Sequence, residues 1–253
     1  MSSVINIGFL SIHLYSVCLL FAVMIGYLII VNEGVKRGYD KDDIGNMMFY
    51  AILFGIIGAR VYYCLFNLDY YLMNPLNIFK VWEGGLAIHG GIIAGAITII
   101  LYCKKKKSDL LDILDIVVLG LIIGQAIGRW GNFFNGEAHG PITSLSYLKS
   151  LFLPKFIIDG MFINGEYYIP TFLYESLWCL LGFIIMYLLK DKKYIKTGYL
   201  VGFYFIWYGF MRFFIESLRT DSLMFFSIKV AKLVSILMVI LGIIIIFRRK
   251  KNV

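Results

Sequence analysis

The chain has 253 residues, room for one sizeable domain, and 60% of them are hydrophobic while 16% are charged, against about 45–50% and about 25% in soluble domains. A mean hydropathy of +0.81 agrees, and these values exclude a disordered, a collagen-like and a soluble globular chain. The net charge of +8 does not point to nucleic acid, because the basic residues form short clusters between apolar runs, as in the cytoplasmic loops of a polytopic membrane protein.

A helix needs about 20 mostly apolar residues to cross a bilayer. Seven runs meet that need: 8–31, 44–66, 84–103, 110–128, 171–189, 198–214 and 228–247. The expected fold is therefore all-α, a single integral membrane domain over residues 1–253. The first ten residues carry no basic segment, so no cleaved signal peptide is expected. Basic clusters fall in alternate loops: Lys36, Arg37 and Lys41; Lys104 to Lys107; the lysines from Lys190 to Lys196; and Arg248 to Lys251. The positive-inside rule makes these loops cytoplasmic, with the N-terminus outside and the C-terminus inside. The longest external loop, 137–170, is then large enough for a small folded cap. Cys18, Cys64, Cys103 and Cys179 lie in or beside apolar runs without CxxC spacing. They read as small apolar residues, and neither a disulfide framework nor a metal site is suggested.

Polar residues in apolar spans are costly: an arginine near the bilayer centre costs about 2.5–3.5 kcal/mol on insertion scales. His13 and Tyr15, in the first run, read mainly as interface residues. Arg60 fits a structural role. His89 is flanked by Gly84, Gly85, Gly90 and Gly91, so it is either a packing histidine or part of a place where something comes close. Residues 128–140, GRWGNFFNGEAHG, hold four glycines, and Arg129, Asn132 and Asn135 recur every three residues. An arginine beside amide donors and free backbone N–H groups suits a phosphate; the alternative is a Gly-rich helix end satisfying its own backbone. Tyr208, Arg212 and Glu216 are spaced by four, which puts a phenol, a guanidinium and a carboxylate in one stripe of a helix. That stripe is also compatible with a neutral interfacial ion pair. No serine triad, P-loop, zinc motif or dinucleotide loop is present.

The run from Gly128 to Gly140 resembles the signature G-R-x-G-N-F-x-N-x-E-x-x-G of the prolipoprotein diacylglyceryl transferases, with every fixed position present. The WEGGLAIHGG run carrying His89, the PTFLYE run from Pro170 to Glu175 and the YGFMRFFIESLR run from Tyr208 to Arg219 resemble the same family in the same order. Two positions depart from it: Ile169 stands where the family often has His, and Ser16 follows Tyr15 where the family tends to have Gly. The resemblance implies transfer of a diacylglyceryl group from phosphatidylglycerol to the lipobox cysteine thiol of a prolipoprotein signal peptide. Glycerol phosphate is released, as the first step of bacterial lipoprotein maturation. The enzyme would sit in the bacterial plasma membrane as a multi-pass protein, its active site facing the external leaflet, with no metal or organic cofactor.

Under that reading Arg129 and Arg212 bind the phosphate whose negative charge grows as it departs. Asn132 orients polar atoms of the lipid, Tyr208 hydrogen-bonds lipid oxygens, and Glu216 holds Arg212. Glu137 and Tyr15 line the site. His89 is the candidate base for the thiol, with Tyr15 or water as alternatives. Three rivals share some of these features: a transporter, which should show paired halves with matching broken helices; a structural membrane protein; and a phosphatidylglycerol headgroup transferase.

Overall fold

The structure, a computed structural model, describes residues 4–7, 10–219, 224–225 and 228–251. The chain opens with an antiparallel hairpin, β1 (Val4–Ile7) and β2 (Leu10–His13). Helix α1 (Leu14–Lys36) follows and ends in Lys36, a cation placed against the negative end of the helix dipole. The expected first span thus begins six residues late. The β-branched Val4, Ile5, Ile7 and Ile12 favour strand over helix there, and Asn6 is paired with Ser11 across the hairpin.

Next come α2 (Lys41–Leu65), the short α3 (Leu68–Met73), two 3-10 turns (Pro75–Phe79 and Val81–Glu83) and α4 (Ile88–Lys106). Asp40 caps α2, its carboxylate accepting the backbone N–H of Asp42 and Asp43. Helix α4 starts four residues after the expected 84, because Gly84 and Gly85 take positive φ values of 90° and 72°. This left-handed backbone admits glycine and ends the irregular segment before the helix.

Helix α5 (Leu110–Asn135) leads into β3 (Ile142–Thr143), α6 (Leu145–Ser150), α7 (Lys155–Gly160), β4 (Phe162–Ile163) and β5 (Glu166–Tyr168). The three strands form one sheet in the order β3-β5-β4. Helices α8 (Thr171–Leu189) and α9 (Tyr199–Leu218), strands β6 (Met224–Phe225) and β7 (Ile228–Lys229), and α10 (Val230–Lys251) complete the chain. Among the described residues, α1, α2, α4, α5, α8 and α10 are long and apolar enough to cross a membrane. Helix α9, over the expected run 198–214, is 20 residues long but carries Arg212 and Glu216 and is not among those six.

The chain packs as two units, Met1–Ile29 with Leu114–Val253, and Ile30–Ile113. In the first, α1 crosses α5 at Gly26 and Gly120, whose backbones approach so closely that a side chain at Gly26 would strike the Gly120 carbonyl. Small residues permit such crossings in lipid, where packing rather than water exclusion drives association. The buried Asp115 accepts the backbone N–H of Gly198 at 2.7 Å and of Val201 at 2.8 Å, satisfying orphan donors at the start of α9. The segment 137–170 folds as a small cap, as expected from its length. Leu148, Ile157, Ile158 and Met161 bury themselves against Phe133 at the end of α5 and Phe172 at the start of α8.

In the second unit, α2 and α4 pair through Gly58 and Gly90, each backbone lying against the other. At the opposite end of these helices, the Asp112 carboxylate accepts Arg37 Nη1 at 2.7 Å and the Tyr39 hydroxyl at 2.7 Å. Burial, then this hydrogen bond, holds the Tyr39 phenol protonated well above its ordinary range.

Candidate active site

Most of the expected site residues lie in the first unit, on α5 and α9. Arg129 and Asn132 stand near the C-terminal end of α5, and Arg129 Nη1 donates to Asn132 Oδ1 at 3.2 Å. Arg212 is on α9, one turn from Glu216, and its Nη2 lies 2.7 Å from Glu216 Oε2. The residue that unites the two arginines is Glu175 on α8. Its Oε2 is 2.7 Å from Arg129 Nη2, and its Oε1 accepts Arg212 Nη1 at 3.2 Å. Four charges therefore alternate in one chain, Arg129–Glu175–Arg212–Glu216.

Burial is unequal along that chain. The side chains of Glu175 and Glu216 are 3% and 2% exposed, those of Arg129 and Arg212 18% and 16%. The carboxylates form a floor, and the guanidiniums keep an accessible edge with N–H groups to spare, since Arg carries five. A buried carboxylate is tolerated only when paired; here each neutralises an arginine that would itself be costly inside a membrane. At Glu175 Oε2 and Glu216 Oε2 no N–H lies along the line of contact, so those two contacts are ion pairs held by charge rather than aligned hydrogen bonds.

Helix α8 is held against α9 by a tryptophan pair. Trp178 and Trp207 stack with centroids 4.2 Å apart and planes 18° apart. Each indole N–H donates to the other's backbone carbonyl at 3.0 Å. This clamp sits close in sequence to both Glu175 and Arg212. On the other side, Trp130 Nε1 donates to Ser176 Oγ, whose hydroxyl donates to the Ala126 carbonyl, tying α8 to α5. The Tyr208 phenol faces Arg129, and its ring stacks on Tyr204 at 5.7 Å.

Tyr15, on α1, covers Gly131: any side chain there would collide with its ring. Glu137 is exposed just past α5; its backbone N–H donates to the Asn132 carbonyl at 3.0 Å. Ile169, at the departure from the family pattern, packs on Gly140 and exchanges backbone bonds with Gly140 and Pro141, so an apolar side chain fills that position. His89 belongs to the second unit, where it is exposed near the start of α4 with its ring 6.2 Å from that of Tyr62. Arg60, also in the second unit, donates to backbone carbonyls from every nitrogen of its guanidinium, the structural role its sequence position suggested. Among the described residues no three His, Cys, Asp or Glu side chains gather as metal ligands would.

Reasoning from spacing alone missed Glu175. Its signal was present: it is the one charged residue in the apolar run 171–189, and an ionisable side chain there asks for a partner. No helical spacing links it to an arginine, because its partners come from two other helices.

The model of the family described as prolipoprotein diacylglyceryl transferase matches residues 2–248. The chain belongs to that family. It is 46% identical over 246 residues to a phosphatidylglycerol–prolipoprotein diacylglyceryl transferase of Staphylococcus xylosus, covering 97% of this chain and 88% of that protein. It is 48% identical over 248 residues to a protein of the same name from Staphylococcus aureus strain MSSA476, with the same coverage. In this diacylglyceryl transferase-family chain the 128–140 signature falls at the end of α5, where Arg129 and Asn132 meet, and the YGFMRFFIESLR run supplies Arg212 and Glu216.

Proposed function

We propose that this chain transfers the diacylglyceryl group of phosphatidylglycerol to the lipobox cysteine of a prolipoprotein signal peptide, in a bacterial plasma membrane. The observation that carries the reading is the pair of partly exposed guanidiniums, Arg129 and Arg212, on a floor of buried carboxylates. The family and its named relatives supply the reaction.

The substrate thiol loses its proton to a base, for which the sequence offers His89, Tyr15 or water, and the thiolate is the nucleophile. It attacks the glycerol carbon bonded to the phosphate ester oxygen. A sulfur–carbon bond forms, the carbon–oxygen bond breaks, and its electron pair leaves on the oxygen of glycerol phosphate. Arg129 and Arg212 bind that phosphate through N–H groups not used on Glu175 and Glu216, stabilising the charge where it grows. Asn132 and Tyr208 orient the lipid around Arg129, and Tyr15 and Glu137 line the site. Helix α9 is the seventh span, the N-terminus lies outside, and the cap 137–170 and the site face the external leaflet.

The test is mass spectrometry of a lipobox peptide incubated with purified protein and phosphatidylglycerol. A diacylglyceryl adduct on the cysteine is expected, reduced at least about 100-fold in Arg129→Ala, the order of effect for losing a preorganised donor to a developing anion. Folded protein that consumes phosphatidylglycerol without modifying the peptide would replace this reading with a headgroup transferase.

A further inference from the structure

The segment joining α2 to α4, residues 66–87, lies outside the chemistry proposed above and is built in an unusual way. Its outer side is apolar: Leu72, Met73, Leu76, Phe79 and Trp82 are 73% to 81% exposed. The outward residues Phe49, Leu53, Ile57 and Val61 of α2, which would meet acyl chains, are 40% to 59% exposed. A patch this apolar does not stay bare in water. Its inner side is polar: Asn67, Tyr70, Tyr71 and Asn77 line a cavity of 440 Å³ together with Arg60 and Tyr63 of α2.

Arg60 accounts for how the irregular backbone is kept. Nε donates to Ile78 O at 2.8 Å, Nη1 to Gly84 O at 2.7 Å and Gly85 O at 3.0 Å, and Nη2 to Asn77 O and to Lys80 O at 3.3 Å. All five N–H groups are used. The guanidinium also lies 5.3 Å from the Tyr71 ring centroid. Non-helical backbone is tolerated at membrane depth only where its polar groups are satisfied from within the protein, and Arg60 does this for five carbonyls of one segment.

We propose that residues 66–82 form an interfacial strap seated in the lipid leaflet at the end of α2, with phospholipid covering its apolar side and Arg60 as the strut beneath. Three features commit the patch to lipid. It continues directly from α2 and leads to α4, both long and apolar enough to cross a membrane. Trp82, Tyr70 and Lys80 are residue types that settle at the headgroup boundary. The apolar outside and polar inside match a peptide lying in the interface plane.

The experiment places a nitroxide label at Met73→Cys, Leu76→Cys or Phe79→Cys in a Cys18→Ser background; the other native thiols, Cys64, Cys103 and Cys179, are buried. The protein is reconstituted in vesicles of phosphatidylglycerol and phosphatidylethanolamine. Collision with oxygen is compared with collision with a water-soluble nickel chelate, using Lys193→Cys in an exposed loop as the aqueous reference. The strap predicts several-fold preference for oxygen over the chelate at all three sites, relative to that reference. Chelate access equal to the reference overturns it, and so does protection from both reagents, which would mean a protein cover such as a second copy. In folded Arg60→Gln the oxygen preference at Leu76 should fall at least twofold, with a smaller fall in Arg60→Lys. Unchanged preference in both removes Arg60 from the role.

Discussion

Glu175 decides how the two arginines are held, and its consequence differs from that of losing either one. In Glu175→Gln both guanidiniums keep their charge, so phosphatidylglycerol should still bind. What is lost is the fixed angle between them, and a misplacement of about 1 Å can cost about 100-fold in rate. The expected outcome is a fall in kcat of about that size with KM for the lipid changed by less than about threefold, read by adduct formation at several lipid concentrations. Equal losses in Glu175→Gln and Arg129→Ala, both in KM, would show that the carboxylate acts only through binding. The site was readable from the sequence as far as one helix carries it: Arg129 with Asn132, and Arg212 with Glu216, follow from spacing. The bridge from α8 was not, because contacts between helices have no period in the sequence. For His89, retained turnover in His89→Gln would move the proton to Tyr15 or to water.

At the scale of elements, small residues set the separations. Gly90 lies against Gly58 with no room for a side chain, immediately after His89 in the sequence. Gly90→Val should lower stability by about 1–3 kcal/mol through overpacking, measured by denaturant unfolding in detergent, and should disturb α4 more than α8 and α9. The junction of α1 with α2 makes a pH prediction. The folded-state titration of Tyr39 lies above the unfolded one, so its contribution to stability is complete below about pH 10 and declines as pH rises through and beyond it. Tm should therefore fall less steeply between about pH 9 and about pH 11 in Tyr39→Phe than in the parent. The helices were legible because long apolar runs dominate them. The opening hairpin was not, since its apolar β-branched residues read equally as the start of a span. Helix α9 was legible as a helix, while its two charges, Arg212 and Glu216, lower the same hydropathy that marks the other six.

For the whole molecule, the charge pattern of the loops makes an orientation that a labelling experiment tests directly. If α9 crosses the membrane, two spans separate Lys193 from Arg248, and both lie on the cytoplasmic side, while Lys149 in the cap lies outside. An impermeant maleimide added to intact cells should label Lys149→Cys, and should label Lys193→Cys and Arg248→Cys only after permeabilisation. Labelling of Arg248→Cys from outside would take α9 out of the membrane and reverse the C-terminus.

The stacked indoles of Trp178 and Trp207 make half of the four tryptophans in the chain. Rings this close and this nearly parallel share their electronic excitation, so their near-ultraviolet circular dichroism depends on how α8 and α9 are set against each other. Those helices carry Glu175 and Arg212. The chain thus contains its own optical gauge: a lipid or phosphate that draws the arginines together would alter the spectrum of a label-free protein, before any product is formed.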